Sequence, residues 1–82
     1  MTENKDLVNR FSEEMLKKLE ARVEKHGGSW KNVSIWHLRG RLIQEFNEWK
    51  QMIESEFEPN ELIDIANQCM LLYFRLKEKE EK

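Results

Sequence analysis

Apolar residues in this chain return at every third or fourth position through three separate runs, and nowhere do they alternate with polar ones as a strand requires. The first run carries Leu7 (or Val8), Phe11, Met15, Leu19 and Val23 and predicts an amphipathic helix over about residues 4–26, stopped by Gly27-Gly28. The second carries Ile35, Leu38, Leu42, Phe46, Trp49 and Ile53, with Ser34 placed to cap its start, and predicts a helix over about residues 34–55. Glu58-Pro59 supplies the next break. Proline is favoured as a first helical residue, so a third helix is expected over about residues 59–77, with a charged, fraying tail behind it. The expected fold class is all-α, a three-helix protomer forming a single domain over residues 1–82.

Eighty-two residues with 39% hydrophobic and 37% charged content leave room for one small core. Domains near this size are marginal unless stapled or assembled, and the single cysteine, Cys69, rules out an intramolecular disulfide framework. Cys69 lies in an apolar helical run with Ala66, Met70 and Tyr73 and is expected to be buried and reduced. The third helix has a wide apolar arc: Leu62, Ile65, Ala66, Cys69, Leu72, Tyr73 and Leu76 on one side, extended by Ile63, Met70 and Phe74, with Leu71 nearly opposite. A helix apolar on so many sides needs more cover than two partners give. The expectation is an oligomeric helical bundle, a homodimer or homotetramer.

A net charge of −2 with dispersed Lys and Arg argues against a nucleic-acid partner. No segment approaches membrane-spanning length, and the polar start Met1-Thr2-Glu3-Asn4-Lys5-Asp6 does not read as a signal peptide, so no membrane partner and a cytoplasmic location are expected.

Two carboxylate pairs stand out from the 16 acids: Glu45-x-x-Glu48 and Glu61-x-x-Asp64, on consecutive expected helices and inside apolar runs. A spacing of three puts both acids of a pair on one strip beside the core-facing stripe. Pairs at the same spacing in polar terminal segments, Glu3/Asp6 and Glu78/Glu81, read as solvated faces, and Glu58 and Glu61 have a second role at the positive end of the third helix. If the two helices are neighbours, four carboxylates converge, and each like-charged contact at ~4 Å in an effective dielectric of about 20 costs roughly 4 kcal/mol. Such a cluster calls for a cation. Oxygen ligation suits Mg²⁺, with Mn²⁺ as the alternative, and not zinc.

Leu42-Ile43-Gln44-Glu45-Phe46-Asn47-Glu48, a gap of twelve residues, and Glu61-Leu62-Ile63-Asp64-Ile65-Ala66-Asn67 together resemble the MazG-like all-alpha nucleoside triphosphate pyrophosphohydrolases, over roughly Phe11 to Tyr73. Lys25-His26-Gly27-Gly28-Ser29-Trp30 and Leu38, Arg41 and Leu42 also look like the short members of that family. The resemblance implies Mg²⁺-dependent cleavage of a ribo- or deoxyribonucleoside triphosphate to its monophosphate and pyrophosphate, with Glu45, Glu48, Glu61 and Asp64 as metal ligands. Two positions depart from the family pattern. Gln44 stands where the first acid of an E-E-x-x-E element is usual and cannot accept a proton as a carboxylate does, and Trp49 replaces a smaller aliphatic residue.

The chemistry fits these residues independently of the family. An acidic site holds a triphosphate only through metal bridges, and Glu45 or Glu48 is the candidate to accept a proton from the attacking water. Lys31, Arg39 and Arg41 are candidate phosphate contacts, each with the plain alternative of a solvated charge. Asn67, one turn after Asp64, is a candidate contact to substrate or metal-bound water, or a structural amide. Trp30, in a loop, either touches substrate or caps the bundle, whereas Trp36 and Trp49 are expected in the core with Met15, Met52 and Met70. His26 suits a helix C-terminus, and His37 has no partner at metal spacing. A di-iron bundle is disfavoured by the lack of any Glu-x-x-His motif. The alternative to an enzyme is a non-enzymatic helical oligomerisation or interaction module whose acids are solubilising rim groups.

Overall fold

A computed structural model describes residues 2–26 and 29–81, with side chains over 3–22 and 30–80. The Gly27-Gly28 stop and the side chains of Val23 and His26 lie outside the described residues. Three helices follow in order: α1 (Thr2–His26), α2 (Ile35–Gln51) and α3 (Pro59–Glu81), with single 3-10 turns at Ser29–Lys31 and Glu54–Glu56. Among the described residues there is no strand. Nor, among the described residues, is any helix long and apolar enough to cross a membrane.

The start of α2 is set by Ser34, whose backbone is extended (φ −70°, ψ 155°) and whose hydroxyl accepts the amide of His37 at 3.0 Å. Its end comes earlier than residue 55. Met52 and Ile53 turn extended, the Glu56 carboxylate accepts the amide of Ile53 at 2.9 Å, and the amide of Glu56 donates to the carbonyl of Ile53 at 2.8 Å. Glu54 and Glu56 would repel the negative end of a longer helix, and Glu56 instead offers the backbone a local partner. The turn carries Phe57 back onto Trp49, with stacked rings 5.5 Å apart. Pro59 opens α3 without needing a hydrogen bond. α3 then runs past residue 77 to Glu81, because the Lys and Glu of its last turns are good helix formers.

α3 is the central element, packed against both α2 and α1, while α1 and α2 hardly meet. Its covered stripe is Ile63, Asn67 and Leu71, spaced four apart as one helix face requires. Leu71 therefore faces the core, contrary to expectation, and Leu62, Cys69, Tyr73, Phe74 and Leu76 are exposed. Cys69 lies two residues from both Asn67 and Leu71, about 200° round the helix and so on the far side. The same geometry corrects Trp36: two residues before the fully buried Leu38, it is 76% exposed and has the Arg39 guanidinium 5.6 Å from its ring centre. Trp49, Met15, Met52 and Met70 are half-buried. On α1, Leu7, Val8, Phe11 and Leu16 have little cover within the chain.

Candidate functional site

Where the middle of α2 meets the first two turns of α3, carboxylate oxygens of Glu45, Glu61 and Asp64 all lie within 4.8 Å of one another. All three side chains are half-buried. Glu61 sits in the first turn of α3, where unpaired backbone N–H groups favour negative charge, so its position serves both the helix and the cluster. Asp64 follows one turn later on the same strip. Glu48, one turn beyond Glu45, is exposed and outside this group, its Oε1 accepting a long hydrogen bond of 3.5 Å from Gln44 Nε2. Burial raises the pKa of Glu45 above the ordinary carboxyl value, and repulsion from Asp64, Glu48 and Glu61 raises it further against the opposing pull of Arg41.

The cluster borders a cleft of about 290 Å³. Arg41 and Glu45 of α2 and Asp64, Asn67 and Gln68 of α3 form two walls, and α1 closes the third with Lys18 and Arg22 against the apolar Leu19 and Ala21. Lys18 Nζ donates to Asp64 Oδ1 at 2.8 Å and to the carbonyl of Asn60 at 3.4 Å. Arg22 has its pKa lowered by burial and by the nearby Arg41, while Glu45 and Asp64 oppose the shift. One cleft thus holds an acidic end and three cationic side chains.

Asn67 and Gln68, 4% and 2% exposed, are the buried polar residues of α3. Asn67 Nδ2 donates to the carbonyl of Met15 at 3.3 Å, which ties α1 to α3. The Oδ1 of Asn67 and the Oε1 of Gln68 are buried without a hydrogen-bond partner among the described residues, an arrangement that costs free energy until a donor or cation arrives.

Of the expected substrate contacts, Arg41 and Asn67 line the cleft, whereas Trp30, Lys31 and Arg39 do not. Trp30 is half-buried and held by its backbone: Arg75 donates to the carbonyls of Trp30, at 3.0 Å, and Val33, fastening the loop to α3. Lys31 Nζ sits 5.8 Å from the Trp30 ring centre and is exposed. Sequence reasoning missed Lys18, Arg22 and Gln68. A signal for the first two exists: Met15, Lys18, Leu19 and Arg22 continue the inward stripe of α1 at i, i+3, i+4 and i+7, and a cation on such a stripe has to meet something.

The donor set of the cluster is oxygen only, with neither His nor Cys in it, which fits a hard divalent cation such as Mg²⁺ or Mn²⁺. No protein-family model matches the chain, and no solved structure matches it. A protein of Archaeoglobus fulgidus, described only as uncharacterized, is 35% identical over 79 residues, an alignment that covers 89% of this chain and 85% of the archaeal one. At that identity and coverage, the chain belongs to the same family as this archaeal protein.

Proposed function

We propose that the chain is a MazG-like all-α pyrophosphohydrolase that cleaves a nucleoside triphosphate to its monophosphate and pyrophosphate in the cleft between the three helices. The observation that carries this reading is the convergence of Glu45, Glu61 and Asp64, from two helices, on one point beside Lys18, Arg22 and Arg41. Acids alone would repel a triphosphate and cations alone would hold one without reacting it. Both together suit a substrate whose phosphates are shared between a divalent ion and basic side chains.

Glu45, Glu61 and Asp64 would hold the ion, with Glu48 one turn away completing the set. A bound Mg²⁺ or Mn²⁺ supplies Lewis-acid stabilisation of the charge that develops on the phosphates. Glu45 or Glu48 accepts the proton of the attacking water. Arg41 and Arg22 neutralise phosphate oxygens, and Asn67 orients the substrate from the α3 wall. Gln44 stands beside Glu48 and can hydrogen-bond to it without taking a proton. Trp30, Lys31 and Arg39 reach a nucleotide only if it extends past the cleft.

The protein is proposed to work in the cytoplasm as a homodimer or homotetramer, because the apolar faces of α1 and α3 find too little cover in one chain. Those same faces support the second reading, a non-enzymatic oligomerisation module. A screen of common ribo- and deoxyribonucleoside triphosphates with Mg²⁺, scoring pyrophosphate apart from orthophosphate, separates the two. Pyrophosphate release from at least one triphosphate is expected; orthophosphate alone points away from the MazG-like family, and no product overturns the enzymatic reading.

A further inference from the structure

The acidic cluster already has a cation next to it, and that cation comes from another helix. Lys18 reaches from α1 across the cleft to Asp64 Oδ1 at 2.8 Å, with the carbonyl of Asn60 as its second acceptor at 3.4 Å. Both partners of the pair are only partly exposed. Lysine suits a temporary bond, being a point charge on a flexible four-carbon stem, where arginine would make a planar, fixed fork. The other described ion pairs are of a different kind, joining neighbours three or four apart on one helix.

We propose that Lys18 is a tethered counter-ion: it neutralises Asp64 while the cleft is empty, gives way when a divalent cation binds the carboxylates, and thereby sets the metal affinity and frees an ammonium for the phosphates of the incoming substrate. The proposal rests on the metal-centre reading above. A divalent ion bound at about 2.1 Å from Oδ1 would lie no more than about 5 Å from an ammonium still bonded to the same oxygen. Two cations at that separation in a partly desolvated site repel, and the mobile one leaves. A second observation, independent of the carboxylates, marks the cleft as built for a ligand. Asn67 Oδ1 and Gln68 Oε1 are acceptors without partners among the described residues, in side chains more than nine-tenths buried that line the same space. The amide nitrogen of Asn67 is committed to Met15, so its free acceptor is fixed.

The test is a calorimetric titration of the full chain with MnCl₂, comparing wild type with Lys18→Met and Lys18→Arg at one pH and ionic strength. Lys18→Met should bind Mn²⁺ about two- to fivefold more tightly, the worth of a partly exposed pair no longer competing. Lys18→Arg, which keeps the charge, should not gain. Wild type that binds Mn²⁺ no less tightly than Lys18→Met overturns the counter-ion role and leaves the metal centre standing. Wild type that binds no Mn²⁺ overturns the metal centre and this proposal with it. A readout without substitution guards against a misfolded variant. Lys18 of the wild type should be acetylated faster by acetic anhydride, scored by mass spectrometry, with saturating Mg²⁺ than without. An unchanged rate on metal-loaded protein overturns the proposal.

Discussion

The two halves of α1 carry the same apolar rhythm and meet different fates. In the second half, Met15, Lys18, Leu19 and Arg22 are half-buried against α3 and the cleft, and Lys18 and the Met15 carbonyl bond across to it. In the first half, Leu7, Val8 and Phe11 are exposed, and the polar contacts described there are local: the Ser12 hydroxyl donates to the Val8 carbonyl, and Arg10 makes a loose ion pair with Asp6. Periodicity decides that a segment is a helix with an apolar face. It does not decide who covers that face. The covered half builds a polar cleft, and the bare half leaves its apolar face without cover in the chain.

Changes at the covered end should have the largest effect. Glu45→Gln should lower pyrophosphate release by about 10² to 10⁴, the usual worth of a general base, and should also weaken Mn²⁺ binding. Asp6→Asn, at the bare end, removes an exposed pair worth less than about 0.5 kcal/mol and should leave turnover unchanged. Comparable rates for wild type and Glu45→Gln would remove Glu45 from the chemistry.

The bare end is tested by Phe11→Asp. A charge placed in the centre of an interface costs about 2 kcal/mol or more, whereas on a free surface it stays within about 0.5 kcal/mol. Sedimentation of the wild type at micromolar concentration should give a dimer or tetramer, and the variant a smaller species. A wild-type monomer, or an assembly indifferent to Phe11→Asp, places the cover elsewhere.

These contrasts also mark what the sequence made legible. Apolar periodicity located all three helices, Ser34 and Pro59 marked where α2 and α3 begin, and the acid spacing pointed to Glu45, Glu61 and Asp64. The phase of α3 was not legible. With apolar residues on nearly every side, hydropathy favours Leu62, Ile65 and Cys69, yet the stripe that packs is Ile63, Asn67 and Leu71, with an amide at its centre. A pattern of apolar residues cannot nominate an asparagine whose burial depends on the Met15 carbonyl from 52 residues earlier in the chain. Lys18 and Arg22 sit on the inward stripe of α1, which signals that they meet something, but what they meet lies on α2 and α3 and is not legible in α1. The early end of α2 was misread because Glu56 stabilises a turn by a side-chain bond that periodicity does not see.

A smaller gain is expected from Gln44→Glu, on the exposed flank of the covered end. The substitution exchanges a long hydrogen bond to Glu48 for a like charge one turn away and introduces the acid that the proposed MazG-like reading calls for. Turnover should rise about tenfold, roughly 1.4 kcal/mol of barrier, with apparent substrate affinity little changed. Unchanged turnover would show that the missing acid is dispensable and that the proton goes to the remaining carboxylates or to bulk water.

The smallest effect concerns stability and pH. Glu45 has a folded-state pKa raised by burial and by its three acidic neighbours, so the folded chain holds a proton there that the unfolded chain, near about pH 4.3, has begun to lose. The contribution of this group is therefore fully present below the unfolded value and is lost as pH rises through the folded one. Without divalent ions, the wild-type melting temperature should fall relative to that of Glu45→Gln between about pH 4 and neutrality, because the variant has no proton to lose. Saturating Mg²⁺ should reverse the order above that window: the ion binds the folded wild type and compensates the exposed repulsion, while the variant has lost a ligand. If the two melting curves instead keep a constant gap from pH 4 to 7, with and without Mg²⁺, Glu45 carries no strain from its neighbours, and the acidic end of the cleft is as indifferent to charge as the bare end of α1.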